Sequence, residues 1–298
     1  MNLSGIFPAL VTPFDASGEL APDQLGANIL MYNHSGLAGY LVNGSTAECV
    51  FMGRAEMEQA LAAVRETAGP GKIVIAGTGA ESTAETIART QTAAKMGCDC
   101  VLVNTPCYYK PMLSADAYVE HYHRVADASP VPVLLYSVPQ FTGVALEADL
   151  VARLAEHPNI IGMKDSSGNV DRVGAILDAV PEKFQLVVGS ASTVFPSMMM
   201  GAVGGILALA NFLPELCVEL HAAVVAKDPA KARSVQRRIN PASKKIVGAL
   251  GIPGVKYAMD ARGYYGGPAR KPLLPLSQAQ KQAADAVLGA VLPAAAAR

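Results

Sequence analysis

Residues 159–169 read NIIGMKDSSGN. Residues 160–163 are apolar without a break, and the run ends on a lysine and an aspartate. A strand with one wet face alternates apolar and polar residues, whereas a strand covered on both faces is apolar throughout. The stretch therefore predicts a strand buried in a parallel sheet, with Lys164 at its C-terminal end. The same pattern recurs before it in IFPALV (6–11), GYLVNG (39–44), KIVIAGT (72–78), CVLVNT (100–105) and VPVLLYSV (131–138). It recurs after it in FQLVVGS (184–190) and GGILALAN (204–211). Helical patterns separate these runs. Residues 82–96 open on Ser82 with Glu85 three positions on, a capping-box pattern. Residues 114–128 place Ala117, Tyr118, Tyr122 and Val125 at helical spacing.

Eight strand–helix units within residues 1–213 predict an α/β chain folded as a (β/α)8 TIM barrel, an architecture that typically takes ~250 residues. A doubly wound sheet is the competing reading. It usually has fewer strands and a Gly-rich first crossover. The run Gly77-Thr78-Gly79-Ala80-Glu81-Ser82 follows a strand but lacks the third glycine of a dinucleotide loop. Residues 214–298 read as a C-terminal helical region packed on the barrel. Its helices cover 216–225, the 230s, a stretch after Pro253 and another after Ser277. The closing PAAAAR is expected to fray.

Composition narrows the function. Half of the 298 residues are apolar, enough for one large core. The 24 basic and 25 acidic side chains nearly cancel and form no block of like charge, so neither a nucleic-acid nor a membrane partner is expected. The N-terminal stretch lacks a basic segment and is broken by Pro8 and Pro13, unlike a signal peptide. The five cysteines form no CxxC pair, which fits reduced thiols and a cytoplasmic location. His121 and His123 are two apart on a helix and diverge, so no metal site is expected, and no cofactor.

Barrels carry their chemistry at the C-terminal ends of the strands. There the sequence sets Asn43-Gly44-Ser45-Thr46, Thr105-Pro106-Cys107-Tyr108-Tyr109, Tyr136-Ser137, Lys164-Asp165-Ser166 and Gly189-Ser190. A lone lysine is ordinarily a solvated surface group. In an apolar barrel mouth it loses solvation, which favours the neutral amine, and a neutral amine attacks ketones to form a Schiff base. Tyr136 ends the adjacent strand. It is either a packed aromatic or a phenol that shuttles protons. Ser45 and Thr46 read as a helix cap or as hydroxyls offered to a carboxylate, and the two roles are compatible. Tyr108 and Tyr109, bracketed by Pro106 and Pro111, suggest a subunit contact or a lid. Gly189-Ser190 and Gly204-Gly205 occupy a region that binds phosphate in many barrels, although no Lys or Arg is near in sequence.

Tyr136 within YSVPQFTG, Lys164 within GMKDSSGN, the turn Gly-Ser-Thr-Ala-Glu and the opening ALVTPF resemble the dihydrodipicolinate synthase/N-acetylneuraminate lyase family over nearly the whole chain. The resemblance implies a (β/α)8 barrel with a C-terminal helical region, a homotetramer, and work on small 2-oxo acids. It implies that Lys164 is the Schiff-base lysine and Tyr136 the proton-transfer tyrosine. Ser45 would join the proton relay, and Thr46 would hold the pyruvyl carboxylate. Tyr109, with Tyr108, would reach a neighbouring subunit's site. Gly189, Ile206, Ser166 and Phe141 would line the pocket.

Within the family, TPCYYK, HPNIIGMKDSSG, GAVGGILALAN and GYYGGP look like the 4-hydroxy-2-oxoglutarate aldolase branch. Two positions depart from relatives. Ala47 replaces a second glycine in the turn. Phe141 stands where lysine-biosynthesis members carry an arginine, which speaks against that role and predicts a less polar or aromatic substrate tail. A dihydrodipicolinate synthase-like condensation enzyme or a 2-keto-3-deoxy sugar acid aldolase or dehydratase using the same imine, and a non-catalytic 2-oxo-acid binding protein, are the alternatives.

Overall fold

The computed structural model describes residues 1–292; the PAAAAR segment (293–298), expected to fray, lies outside them. Eight strands form: β1 (Gly5–Pro8), β2 (Gly39–Val42), β3 (Ile73–Gly77), β4 (Cys100–Asn104), β5 (Val133–Ser137), β6 (Ile160–Asp165), β7 (Gln185–Val188) and β8 (Gly204–Leu207). They pair in parallel in chain order from β2 to β8, and β8 returns to β1. The Ala38 amide donates to the Ile6 carbonyl at 2.9 Å, and the Leu10 amide to the Leu41 carbonyl at 2.9 Å. These bonds join β1 to β2 and close the ring, so the fold is a TIM barrel and not a doubly wound sheet.

The strands alternate with helices α1 (Pro22–Tyr32), α2 (Arg54–Thr67), α3 (Thr83–Lys95) and α4 (Ala115–Ala128). After β5 come two short helices, α5 (Pro139–Thr142) and α6 (Ala148–Leu154). Then follow α7 (Val170–Ala179), α8 (Val194–Met199) and α9 (Pro214–Val225), the last packed against β1. The chain ends with α10 (Pro229–Ala242), a π-helical segment (Ser243–Gly248), α11 (Gly251–Ala261) and α12 (Gln278–Val291). The serines act largely as the spacing predicts. Ser82 accepts from the Glu85 amide at 3.2 Å. The reciprocal half of that capping box is missing, because the Glu85 carboxylate pairs with Arg54 and Arg89 instead. Ser277 and Gln280 make both halves at the start of α12.

The apolar runs divide their side chains between two cores. Phe7, Leu41, Ile75, Leu102, Leu134 and Ile206 fill the barrel interior. Val74, Val101, Val103, Leu135, Met163 and Leu186 pack outward under the helices. Strand β6 breaks this alternation once. Val133 pairs with Ile160, but Leu134 pairs with Gly162, so Ile161 is an extra residue. A one-residue slip turns every later side chain to the opposite face. Ile161 packs on the inner cluster, and three residues later Lys164 shares the inner side with its partner Tyr136. Without the slip that odd spacing would aim Lys164 at the helices. Gly162 makes room for the adjustment, since a Cβ there would meet the Gln185 carbonyl oxygen at 2.2 Å.

Candidate active site

A cavity of ≈ 660 Å³ opens at the C-terminal ends of the strands. Lys164, Tyr136, Ser45, Thr46, Ser166, Gly189, Ile206 and Phe141 all line it. Tyr108 and Tyr109 do not. Their rings meet edge to face at 5.0 Å and are 77% and 65% exposed. Within one chain these two aromatics serve an outer surface, not the cavity. The carboxylate of Glu81 fixes their loop, accepting from the amides of Cys107 at 2.9 Å and Tyr108 at 2.8 Å. Burial pushes the Glu81 carboxyl up, but those amide bonds outweigh it and hold the group below the usual range.

Lys164 is buried, with Nζ 4.4 Å from the centre of the Tyr136 ring. The Tyr136 hydroxyl lies 3.4 Å from Ser45 Oγ. The nearest acidic residue in sequence, Asp165, faces the other side of β6. It accepts from Arg172 Nε at 3.0 Å and from the Ser167 amide and hydroxyl. Arg172 in turn pairs with Glu147 at 2.6 Å. With Asp165 held there, no carboxylate among the described residues lies within ion-pair distance of Lys164. Gly189 supplies space: a Cβ there would fall 1.8 Å from Ser166 Oγ and 3.0 Å from Lys164 Cε. The lysine stem and the serine hydroxyl can sit together only over a bare backbone.

The turn Ser45–Ala47 carries the two hydroxyl residues between Asn43 and Glu48, both left-handed at φ 58° and 59°. Such backbone costs ~1 kcal/mol or more in a non-glycine residue and persists only when its surroundings fix it. The fixing groups are identifiable. Asn43 Nδ2 donates to the Met57 carbonyl at 2.9 Å. The buried Glu48 carboxylate meets Lys256 Nζ at 2.6 Å and accepts from the Arg270 amide at 2.7 Å. Lys256 also donates to the Pro268 carbonyl at 2.8 Å and stands 4.5 Å over the Phe14 ring. Burial lowers the Lys256 ammonium below its ordinary value, and the Glu48 carboxylate opposes that shift. Ala47 fits in this turn because the left-handed position falls on Glu48, one residue later.

Sequence reasoning missed Glu48, Glu81, Lys256 and Lys244. The last corrects a specific expectation: a cation does stand near the Gly189-Ser190 region, because Lys244 from the π-helical segment lines the same cavity. Local sequence hid it, since more than fifty residues separate the two. The two histidines do diverge. His121 Nδ1 lies 2.9 Å from Thr83 Oγ1, whereas the His123 ring stacks 5.3 Å from His157. Among the described residues no cluster of His, Cys, Asp and Glu is placed to hold a metal, and no helix is long and apolar enough to cross a membrane.

The chain is 35% identical over 274 residues to a 4-hydroxy-tetrahydrodipicolinate synthase of Exiguobacterium sp. AT1b, covering 92% of this chain and 93% of that one. It is 36% identical over 288 residues to an uncharacterised DapA-like lyase of Halobacterium salinarum, covering 97% and 94%. The crystal structure of the chloride-inhibited dihydrodipicolinate synthase of Acinetobacter baumannii, complexed with pyruvate, superposes with a TM-score of 0.93 at 32% identity, over 97% of this chain and 99% of that one. The Exiguobacterium and Acinetobacter proteins carry the synthase name and the Halobacterium protein that of a DapA-like lyase; none of the three carries that of the 4-hydroxy-2-oxoglutarate aldolase branch suggested by the sequence. The model of the dihydrodipicolinate synthetase family matches residues 2–291, and the chain belongs to that family as an enzyme of its pyruvate-dependent lyase and aldolase type.

Proposed function

We propose that this enzyme is a class I aldolase that cleaves a 4-hydroxy-2-oxo acid, with 4-hydroxy-2-oxoglutarate as the leading candidate, to pyruvate and an aldehyde. The reading rests on Lys164, which has no carboxylate partner among the described residues, over the ring of Tyr136 whose hydroxyl meets Ser45. The Lys164 amine adds to the C2 ketone and loses water to give an iminium. Thr46 holds the adjoining carboxylate. Tyr136, relayed through Ser45, takes the proton of the C4 hydroxyl. The C3–C4 bond breaks, its electrons pass into the iminium to form an enamine, and the aldehyde leaves (glyoxylate, from the leading candidate). Protonation at C3 and hydrolysis return pyruvate and the free amine. Ser166, Gly189, Ile206 and Phe141 shape the pocket around the chain.

Tyr109, with Tyr108, completes the site of a neighbouring subunit in a homotetramer. The exposure of both rings, away from their own cavity, supports that role. Reduction with borohydride in the presence of pyruvate should add one fixed mass to the peptide holding Lys164. Protein left unmodified by that treatment sinks the proposal.

The second reading is synthesis: the same pyruvate enamine attacks an aldehyde and the adduct is retained, as the names of the relatives suggest. Phe141 favours cleavage, because a phenyl ring cannot replace the guanidinium that lysine-biosynthesis relatives use. Product analysis separates the two. Only cleavage releases a free aldehyde.

A further inference from the structure

The residues assigned to the head of the substrate form only part of the cavity lining. Another part of the lining is the π-helical segment, which contributes Ser243, Lys244, Val247 and Gly248. Its Ala249 amide reaches five residues back to the Lys244 carbonyl at 3.0 Å. Such widened turns recur at functional sites. The segment packs on the turns that follow β7 and β8, which sets it at the mouth of the barrel.

The charge of the lining is one-sided. It contains two cations, Lys164 and Lys244, and no aspartate or glutamate. Under the proposed function, on which this inference rests, Lys164 is engaged by the ketone. Lys244 has no carboxylate within ion-pair distance among the described residues, whereas Lys256, Arg172 and Arg270 are all paired. An unpaired ammonium at the mouth of a cavity without carboxylates gives that side a positive potential and concentrates anions there. Ser190 and Ser192, with hydroxyls 3.0 Å apart, add neutral donors on the same lining. Phe141, 69% exposed, adds an uncharged wall.

We infer that Lys244 is a specificity-determining residue that receives a carboxylate at the end of the substrate remote from the ketone, so that the preferred substrates are 2-oxo diacids. This revises the less polar tail that Phe141 alone predicts. One ammonium matches the single charge of a carboxylate, while a phosphate would leave about half of its charge unmet.

The test compares kcat/KM for cleavage of 4-hydroxy-2-oxoglutarate and of 4-hydroxy-2-oxopentanoate, in which a methyl group replaces the remote carboxylate. The wild-type enzyme should favour the diacid. Lys244→Met should lower kcat/KM for the diacid by roughly ten- to a hundredfold, mainly through KM, and change the methyl-ended substrate by less than about twofold. Lys244→Arg should keep most of the preference. Equal losses on both substrates overturn the inference. So do wild-type indifference to the carboxylate, cleavage of neither compound, and faster turnover of a 4-hydroxy-2-oxo acid ending in a phosphate ester. Borohydride trapping with pyruvate separates the two levels of failure. Labelling at Lys164 with no selective loss in Lys244→Met refutes the role of Lys244 alone. Absence of labelling in the wild type refutes the imine beneath it.

Discussion

Lys256→Met tests how the barrel and its C-terminal helices share one site. The ammonium and the Glu48 carboxylate are 2.6 Å apart, with side chains 1% and 0% exposed. Methionine fills similar volume but leaves the carboxylate buried without its counter-charge. Breaking a buried pair from one side costs about 3–5 kcal/mol. The Pro268 carbonyl also loses its donor, a further ~1–3 kcal/mol unless water enters. In a chain of this size each kcal/mol lowers Tm by roughly 2–4 °C, so the two losses together, about 3–8 kcal/mol, should lower melting by roughly 6–32 °C. The double variant Lys256→Met with Glu48→Gln should recover much of the loss. The amide removes the buried charge, and its oxygen can still accept from the Arg270 backbone. Activity should follow a separate course. Glu48 anchors the turn carrying Ser45 and Thr46, so kcat should fall in the single variant even at temperatures where it is fully folded. Imine trapping at Lys164 should persist, because β6 is untouched. Melting curves and steady-state kinetics on wild type, both single variants and the double variant form a complete cycle. A single variant within ~1 kcal/mol of wild type, or a double variant no better than the worse single one, would falsify the argument that this ion pair fixes the turn.

Other outcomes follow from the same geometry. Lys164→Ala should abolish turnover and borohydride labelling while leaving far-UV circular dichroism unchanged; residual labelling elsewhere would show that another amine carries the imine. Tyr136→Phe should lower kcat by roughly 10²–10⁴-fold, the usual range for lost acid–base help, and retention of full rate would remove it from the relay. Gly189→Ala should displace Ser166 and Lys164, whose atoms lie 1.8 and 3.0 Å from the new methyl group, and so depress kcat far more than Tm; an equally active variant would contradict the packing. His121 has its pKa lowered by burial from 6.5 to about 4, partly opposed by Glu81. The unfolded chain therefore binds the extra proton first, and stability that is full above pH 6.5 declines as pH falls toward 4, by up to ~3 kcal/mol. His121→Gln should flatten that part of the Tm–pH curve, and an unchanged slope would assign the acid sensitivity elsewhere.

The barrel was legible because its signal is local and repeated. Each strand is a short apolar run of the kind that only a doubly covered sheet requires, and all eight runs became strands in one ring. Edges were less legible. The run at 6–11 stops as a strand at Pro8, and VPVLLYSV contributes only Val133–Ser137. The inward aim of Lys164 could not be read from its own run and was expected only from its place at a strand end and from the family resemblance. It depends on a one-residue slip between β5 and β6, and register is a relation between two segments that no single run encodes. The same limit hid Glu81, Glu48 and Lys244, whose meaning lies in partners or neighbours distant along the chain.

Two lysines make this limit concrete. Lys164 follows IIGM and Lys256 follows GIPGV, so each ends or interrupts an apolar stretch, and each is buried in the folded chain. Burial alone therefore does not mark the amine proposed to form the imine. The difference lies in what the surrounding carboxylates do. Glu48 meets Lys256 head on, an arrangement that favours the charged amine against the opposing effect of burial and makes the pair a structural clamp. Asp165, adjacent to Lys164 in sequence, is turned to the opposite face and held by Arg172, so Lys164 is left beside a tyrosine ring, a glycine, the Ser166 hydroxyl and the cavity. An amine destined to attack a ketone must be able to lose its proton without breaking an ion pair, and only one of these two satisfies that condition. Swapping the environments should swap the roles. Placing a carboxylate beside Lys164, as in Gly189→Asp, should suppress imine formation by more than Gly189→Ala does, because charge is then added to the same steric displacement. If the two variants trap pyruvate equally well, the missing carboxylate is not what distinguishes Lys164.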